Sequence, residues 1–318
     1  MEKRSLIEPN GTVSFTVTPD SDQKRLDVFL SEQLADYSRS FLQGLIKGER
    51  VTINTKVAKK PSRVLEIDDE VVLNFPPAPD KKEVKQVGDD LGAYIIAEEP
   101  DYFIVYKPPG ISMHAAHTHD SAITLADWLL SQFESLASVG DNERPGIVHR
   151  LDKYTSGLVI IPRNNVAHAK IGDLFKERAM QKTYLALVAG HPRKEGVIDL
   201  SVAPHPSHTR MTVLKRGSTH GRSAETYYKV LEYFDDAALI EVKPRTGRTH
   251  QIRVHMASLG HPLLGDVVYG TPSKLIDRQA LHAKTLEFAY EGAPKEFSSD
   301  LPADFQQAID QLRISKKD

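Results

Sequence analysis

Asp152 stands in the run His149-Arg150-Leu151-Asp152-Lys153-Tyr154-Thr155-Ser156-Gly157, a lone acid between a basic, imidazole-bearing segment and a polar turn. Thr155, Ser156 and Gly157 are turn formers, and residues 157–161 (Gly-Leu-Val-Ile-Ile) form a branched apolar run that reads as a buried strand. The pattern holds a carboxylate at the lip of that strand, with Arg150 two residues before it. An aspartate in such a turn often makes a local backbone hydrogen bond and nothing more. If it does chemistry, an arginine beside it favours the ionised form, which suits a base or nucleophile better than a general acid.

Other chemistries find less support. The chain has no GxxxxGK[ST] phosphate loop, no GxSxG elbow and no GxGxxG after a strand. His114, His117 and His119 are close enough together to suggest zinc. They follow the turn Lys107-Pro108-Pro109-Gly110, with no HExxH and no cysteine anywhere to complete a site, so no metal is expected. The absence of cysteine also excludes disulfides and fits a reducing compartment. No apolar run approaches the ~20 residues of a membrane helix, and the first residues lack a signal-peptide core. These features lead us to expect a cytoplasmic protein without membrane contact. The net charge of −2 is uninformative, but its distribution is not. Residues 205–222 carry Arg210, Lys215, Arg216 and Arg222 with no acid, and residues 39–63 carry seven lysines and arginines against Glu49 alone.

The elements around these residues divide the 318-residue chain. Residues 1–23 read as an extension with at most one short strand, where Phe15 and Val17 alternate with Thr16 and Thr18. Residues 24–76 read as a compact unit. Leu26, Phe29, Leu30 and Leu34 have helical spacing, and Ser38 can cap a second helix with Phe41, Leu42, Leu45 and Ile46 on its apolar face. Short strands follow at 51–54 and 70–75. Residues 77–91, rich in proline and charge, read as a linker. From residue 92 to 318 one larger domain is expected. Its strands fall at 94–97, 103–106, 157–161, 183–189, 224–234, 238–242 and 281–289, and its helices at 124–136, 165–180 and 248–259. Several strands follow one another without helices between them. That implies an α+β fold with a mixed, largely antiparallel sheet, not a doubly wound parallel one.

The run HRLDKYTSGL resembles the signature of the RluA-type pseudouridine synthases, in which its aspartate is catalytic. IVYKPPGISMH, KTYLALVAG and VKPRTGRTHQIRVHMASLGHPLLGDVVYG resemble further motifs of that family. KRLDVFL, YSRSFLQGLIKGERVTIN and IDDEVVL resemble the S-four-type (α-L) RNA-binding domain, with Thr55 where that domain usually has glycine. The resemblance implies isomerisation of uridine to pseudouridine in RNA, without a cofactor because no redox step, hydride or phosphate transfer occurs. It implies Asp152, Tyr184 and Arg253 as catalytic residues. Arg253 is expected to grip Asp152 by a two-pronged hydrogen bond, and Arg248 to point elsewhere on the same helix. Arg150, Lys107 and Arg248 would contact the substrate nucleotide, with Arg150 bracing a flipped base. Ser38, Arg39, Ser40, Gln43 and Lys47 would meet RNA backbone, as would Arg210, Lys215 and Arg216. His250 and His255 read as packing or RNA-contact residues. The expected substrate is large-subunit ribosomal RNA, with transfer RNA as the alternative, and the expected state is a monomer. A non-catalytic RNA-binding or ribosome-assembly protein is the alternative of another class.

Overall fold

The computed structural model describes residues 11–34, 37, 39–75, 91–115, 122–133, 135–136, 139–141, 144–207 and 210–315. The first unit contains β1 (Thr12–Thr16), α1 (Leu26–Gln33), α2 (Arg39–Lys47), β2 (Val51–Ile53), β3 (Lys56–Val57) and β4 (Glu70–Asn74). Its sheet has the order β1-β4-β2-β3. The apolar positions at helical spacing, Leu26, Phe29 and Leu30 with Leu42, Leu45 and Ile46, meet Val51, Val71 and Leu73 in one core. Residues 12–16 do more than a loose extension would: they pair with β4 along their whole length, and Val17 is buried beneath them. Asn54 and Thr55 both take left-handed φ angles (48° and 67°) in the β2–β3 turn, a conformation that threonine rarely adopts. Ser38, the expected cap of α2, and most of the expected linker lie outside the described residues.

The larger unit is built on β5 (Tyr94–Glu98), β6 (Tyr102–Lys107), α3 (Leu125–Gln132), β7 (Gly140–Asp141), β8 (Arg144–Pro145), β9 (Ser156–Pro162) and α4 (Asn165–Lys176). It continues with β10 (Gln181–Ala189), β11 (Glu195–Asp199), β12 (Ser201–Pro204), β13 (Met211–Leu214), β14 (Glu225–Tyr233) and β15 (Ala237–Pro244). It ends with α5 (Gln251–Ser258), β16 (Leu281–Tyr290), β17 (Ala293–Ser298) and α6 (Ala303–Ser315). The main sheet runs β11-β14-β15-β10-β16-β9-β6-β5, with β17 also paired to β16. Its pairs are antiparallel except β9–β16, which are parallel only at His282–Ser156 and Ala283–Gly157. Gly157 makes this junction possible: its φ is +118°, and a Cβ there would sit 2.2 Å from the carbonyl oxygen of Ala283.

The sheet is covered on both faces, and strand alternation sorts the residues. Phe103, Val105, Val159 and Ile161 pack with Leu125, Trp128 and Leu129 of α3. Tyr102, Ile104, Leu158 and Ile160 pack with Ala167 and Ile171 of α4. Farther along, Ala186, Val188, Ala238 and Ile240 meet Ile252 and Met256 of α5. Leu187 and Leu239 meet Phe305, Ala308, Ile309 and Leu312 of α6.

The helices are shorter than the periodicity suggested. Thr124 starts α3 with a reciprocal capping box to Asp127, and the helix stops at Gln132. The chain reverses soon after α4 because Arg178 takes φ +61°. The third expected helix begins at Gln251, not at Arg248, so Arg248 and Arg253 do not share it. Strands β11–β13 and β17 and helix α6 were not anticipated.

Candidate active site

A cavity of about 450 Å³ opens between the 147–152 segment, the α4–β10 turn, Tyr184 and the 244–253 segment. Seven lysines and arginines line it, and among the described residues the only lining carboxylate is Asp152. Asp152 precedes β9, where Thr155 N–H donates to the Asp152 carbonyl at 3.0 Å and closes the turn. Its side chain is 17% exposed, so it is sheltered but reachable.

The Arg253 guanidinium is shared unequally between two acids. Nη1 donates to Asp152 Oδ2 at 3.1 Å, while Nε and Nη2 donate to Asp266 Oδ2 and Oδ1 at 2.7 and 2.9 Å. The two-pronged grip expected on Asp152 therefore falls on Asp266, which is buried and also accepts from Val268 and Tyr269 N–H. The fork geometry of arginine is used to fix the guanidinium from behind, leaving one N–H for Asp152. Gly265 permits this arrangement: its φ is +71°, and a Cβ there would lie 2.3 Å from the Arg278 carbonyl oxygen. Burial opposes the charge on Arg253, but Asp266 and then Asp152 hold its pKa above the ordinary arginine value.

His250 takes a left-handed conformation (φ 54°) as the N-terminal cap of α5. That turn brings Nε2 to 4.0 Å from Asp152 Oδ2 and Nδ1 to 3.0 Å from the Tyr269 hydroxyl. The Tyr269 oxygen already accepts from Met211 N–H at 2.8 Å. Its own proton can go to Nδ1, which leaves the imidazole N–H on Nε2, facing Asp152. Burial lowers the His250 pKa against the attraction of Asp152, favouring the neutral ring.

Tyr184 lies between β15 and β16, opposite Val242 and Ala283. Burial, and then the Asp152 charge, push its phenol upward, so it stays a protonated donor at neutral pH. Lys182 sits two residues earlier on the same face of β10, and burial lowers its pKa to about 8. Its ammonium is 5.8 Å from the centre of the Phe175 ring. Phe175 in turn stacks on His149 at 4.6 Å. His149 Nε2 accepts from Ile160 N–H at 2.9 Å, and burial, then Lys182, lower its pKa to about 3, so it is neutral.

Arg150 is exposed at the rim, and Arg248 lines the cavity with Nε donating to the Ser223 carbonyl at 3.1 Å. Gln251 fixes the segment before α5, taking Thr246 Oγ1 and Arg248 N–H on its carbonyl oxygen at 2.7 and 3.0 Å. Lys107 does not join the site. It is fully buried, and its ammonium donates to the carbonyls of Pro108, Ile111 and Lys153 at 2.8, 3.0 and 3.0 Å. With three N–H donors and three carbonyls it has none left for a substrate, so the expected substrate contact is corrected to a brace between two loops.

In the first unit, Arg39 and Gln43 donate with Arg25 to the buried Asp27, tying α1 to α2. Arg39 remains half-exposed, and Lys47 is exposed at the end of α2. Arg210, Lys215 and Arg216 are exposed around β13, with Arg216 3.1 Å from Asp199. His117 and His119 lie outside the described residues, which hold no cluster of three or more residues able to bind a metal. Sequence reasoning missed Asp266, Tyr269, Arg178 and Lys182. Lys182 had a usable signal, since residues i and i+2 of a strand share a face.

The geometry offers a sheltered acid aligned by a fixed cation, a neutral phenol beside it, and a strongly basic surround. That suits chemistry by an ionised carboxylate on part of a polyanion.

Comparison with known proteins agrees with this reading. A family model described as RNA pseudouridylate synthase matches residues 101–258, and the S4 domain model matches residues 24–71. An uncharacterized RNA pseudouridine synthase of Aquifex aeolicus is 40% identical over 265 residues, covering 82% of each chain. The ribosomal large subunit pseudouridine synthase D of Escherichia coli K12 is 32% identical over 320 residues, covering 95% of each. Among solved structures, human RNA pseudouridylate synthase domain containing 1 aligns with TM-score 0.56 and 26% identity, over 73% of this chain and 97% of that one.

Proposed function

This chain belongs to the RNA pseudouridine synthase family, and we propose that it converts specific uridines of large-subunit ribosomal RNA to pseudouridine. The ribosomal substrate is supported by the names of relatives that align over almost the whole chain, including one from Zymomonas mobilis at 34% identity. In this reading Asp152 acts on the ribose of the target nucleotide, as nucleophile or base. The N1–C1′ bond breaks, the uracil turns, and a C5–C1′ bond forms. The C5 proton is released and N1 gains one, so the reaction is balanced without a cofactor.

The other residues position that step. Arg253, fixed from behind by Asp266, points one N–H at Asp152 and sets its orientation. Tyr184 packs against the uracil and offers its phenol. Arg150 fills the space left by the flipped nucleotide, offsetting part of the few kcal/mol that flipping costs, and Arg248 meets backbone phosphate. The S4 domain adds RNA contacts through Arg39 and Lys47, and the exposed Arg210, Lys215 and Arg216 extend the basic surface. No helix among the described residues is long and apolar enough to cross a membrane, and a monomer acting in the cytoplasm fits this role.

The observation that carries the proposal is the Asp152–Arg253–Asp266 chain, with Asp152 the lone acid among the described residues lining a basic cavity. A non-catalytic RNA-binding protein would have no use for that arrangement. The test is carbodiimide mapping of pseudouridine in total RNA from cells with and without the gene, complemented by the parent or by Asp152→Asn. One or more large-subunit sites should vanish and return only with the parent. Sites lost from transfer RNA instead would overturn the substrate, and restoration by Asp152→Asn would overturn the role of Asp152.

A further inference from the structure

The cavity has two electrostatically different ends. At one end Asp152 lies with Arg253, Arg150 and His250, and the charges of Asp152, Arg253 and Arg150 all act on the His250 ring. At the other end burial lowers the pKa of Arg248, and the like charges of Arg222 and Arg178 lower it further. Lys182 lies beside them: its ammonium is 3.8 Å from the point a Gly247 Cβ would occupy. Neither Lys182 nor Arg178 makes a side-chain hydrogen bond or ion pair among the described residues.

Cations crowded together without an anion are held at a cost that a bound anion would relieve. Arg178 adds a second sign. It occupies the left-handed position just past α4, where glycine is the favoured residue, and its side chain lines the cavity. We propose that Arg178, Lys182 and Arg248 together form a subsite for one phosphodiester group flanking the target uridine, at the end of the cavity away from Asp152. A nucleotide has this polarity, with its reacting C1′ at one end and its backbone phosphate at the other. The subsite explains how one pocket can attract a polyanion and still keep Asp152 available. This inference rests on the reading of the chain as an RNA pseudouridine synthase.

The experiment uses the full chain and a synthetic stem-loop carrying the mapped uridine, with either flanking phosphate replaced singly by a neutral methylphosphonate. Binding and single-turnover rates are measured for the parent, Lys182→Met and Arg178→Gln. Arg178 is exposed, so the second variant stays informative if the first folds poorly. One methylphosphonate position should weaken parent binding about tenfold, the scale of one hydrogen bond to a charged group. The same replacement should weaken binding to either variant by no more than about twofold, since that phosphate no longer meets its full set of cations. Equal losses in parent and variants at both positions would overturn the subsite. A parent that binds the stem-loop but leaves its uridine unconverted would strike the functional reading instead.

Discussion

The three-residue chain Asp152–Arg253–Asp266 separates two jobs that one arginine could be thought to do at once. Asp266 takes both ends of the guanidinium fork, and Asp152 receives a single N–H. Arg253→Lys should therefore fail for geometric reasons, because an ammonium cannot span both acids. Misplacing Asp152 by about 1 Å can cost on the order of a hundredfold in rate. Asp266→Asn should show a loss of similar kind although Asp266 does not line the cavity, because it frees the guanidinium to turn. Single-turnover rates decide this: near-parent activity in Asp266→Asn would show that Arg253 needs no support. Arg248→Lys should be milder, since a point charge suffices for phosphate. Lys107 makes the contrasting case. Lys107→Met removes the donor from the Pro108 and Ile111 carbonyls, while the Lys153 carbonyl keeps the Gly110 N–H, and a loss of about 2–4 kcal/mol in stability is expected. Chemical denaturation measures it, and the folded fraction should turn over normally; weakened RNA binding at parent stability would return Lys107 to the substrate. The sequence displayed Asp152, Tyr184 and Arg253 through motif wording. Asp266 lies inside the motif that also holds Arg253, but nothing in the wording tied the two together, because their pairing depends on how the chain folds back after α5.

Among the elements, β10 and the segment before α5 decide the site. Strand β10 carries Lys182 and Tyr184 on one face, so a single strand serves both ends of the cavity. This gives a pH test. The Lys182 ammonium has a pKa of about 8 in the free protein because burial penalises its charge. Affinity for RNA should be level below pH 8 and weaken as the pH rises through it, as the ammonium loses its proton. His149, with a pKa of about 3, stays neutral throughout that window. Fold stability runs the other way: the lysine pKa is lower folded than unfolded, so this group makes the fold more stable as pH rises from 8 toward the ordinary lysine value. The ionisation that weakens binding therefore does not itself destabilise the fold. Lys182→Arg should abolish the fall, since a guanidinium keeps its charge, and a fall that persists in that variant would assign it elsewhere. The segment before α5 shows where periodicity misleads. Residues 248–259 look continuously helical, but the left-handed His250 and the side chain of Gln251 set the start of the helix and turn Arg248 into a loop residue. Strand β17 and helix α6 escaped for different reasons. The strand is short and charged at an edge, whereas Phe305, Ala308, Ile309 and Leu312 of α6 do repeat at helical spacing within an otherwise polar tail.

At the scale of the molecule, the chain has two modules with separate cores. Every residue of the first core lies between positions 13 and 75, and the other cores begin after position 90. The first sheet ends on β1 and β3, and the prolines and charges after β4 are the basis for expecting a linker there. Deleting residues 1–90 should therefore leave the larger domain folded, with its thermal transition retained. The S4 domain would contribute affinity by meeting phosphates through residues such as Arg39 and Lys47, while the carboxylate, phenol and fixed guanidinium remain in place. For every phosphate that the shortened chain no longer neutralises, the slope of log affinity against log salt should flatten by roughly 0.7 to 0.9. The rate on saturating RNA should change less than the affinity, because none of the described residues of the first unit lines the cavity. Binding measured across a salt series for full-length and shortened chains, alongside single-turnover rates at saturation, separates the contributions. An unchanged salt slope would show that the first unit does not touch RNA. A rate collapse at saturation with the thermal transition intact would show that it helps to shape the catalytic pocket and does more than anchor the substrate.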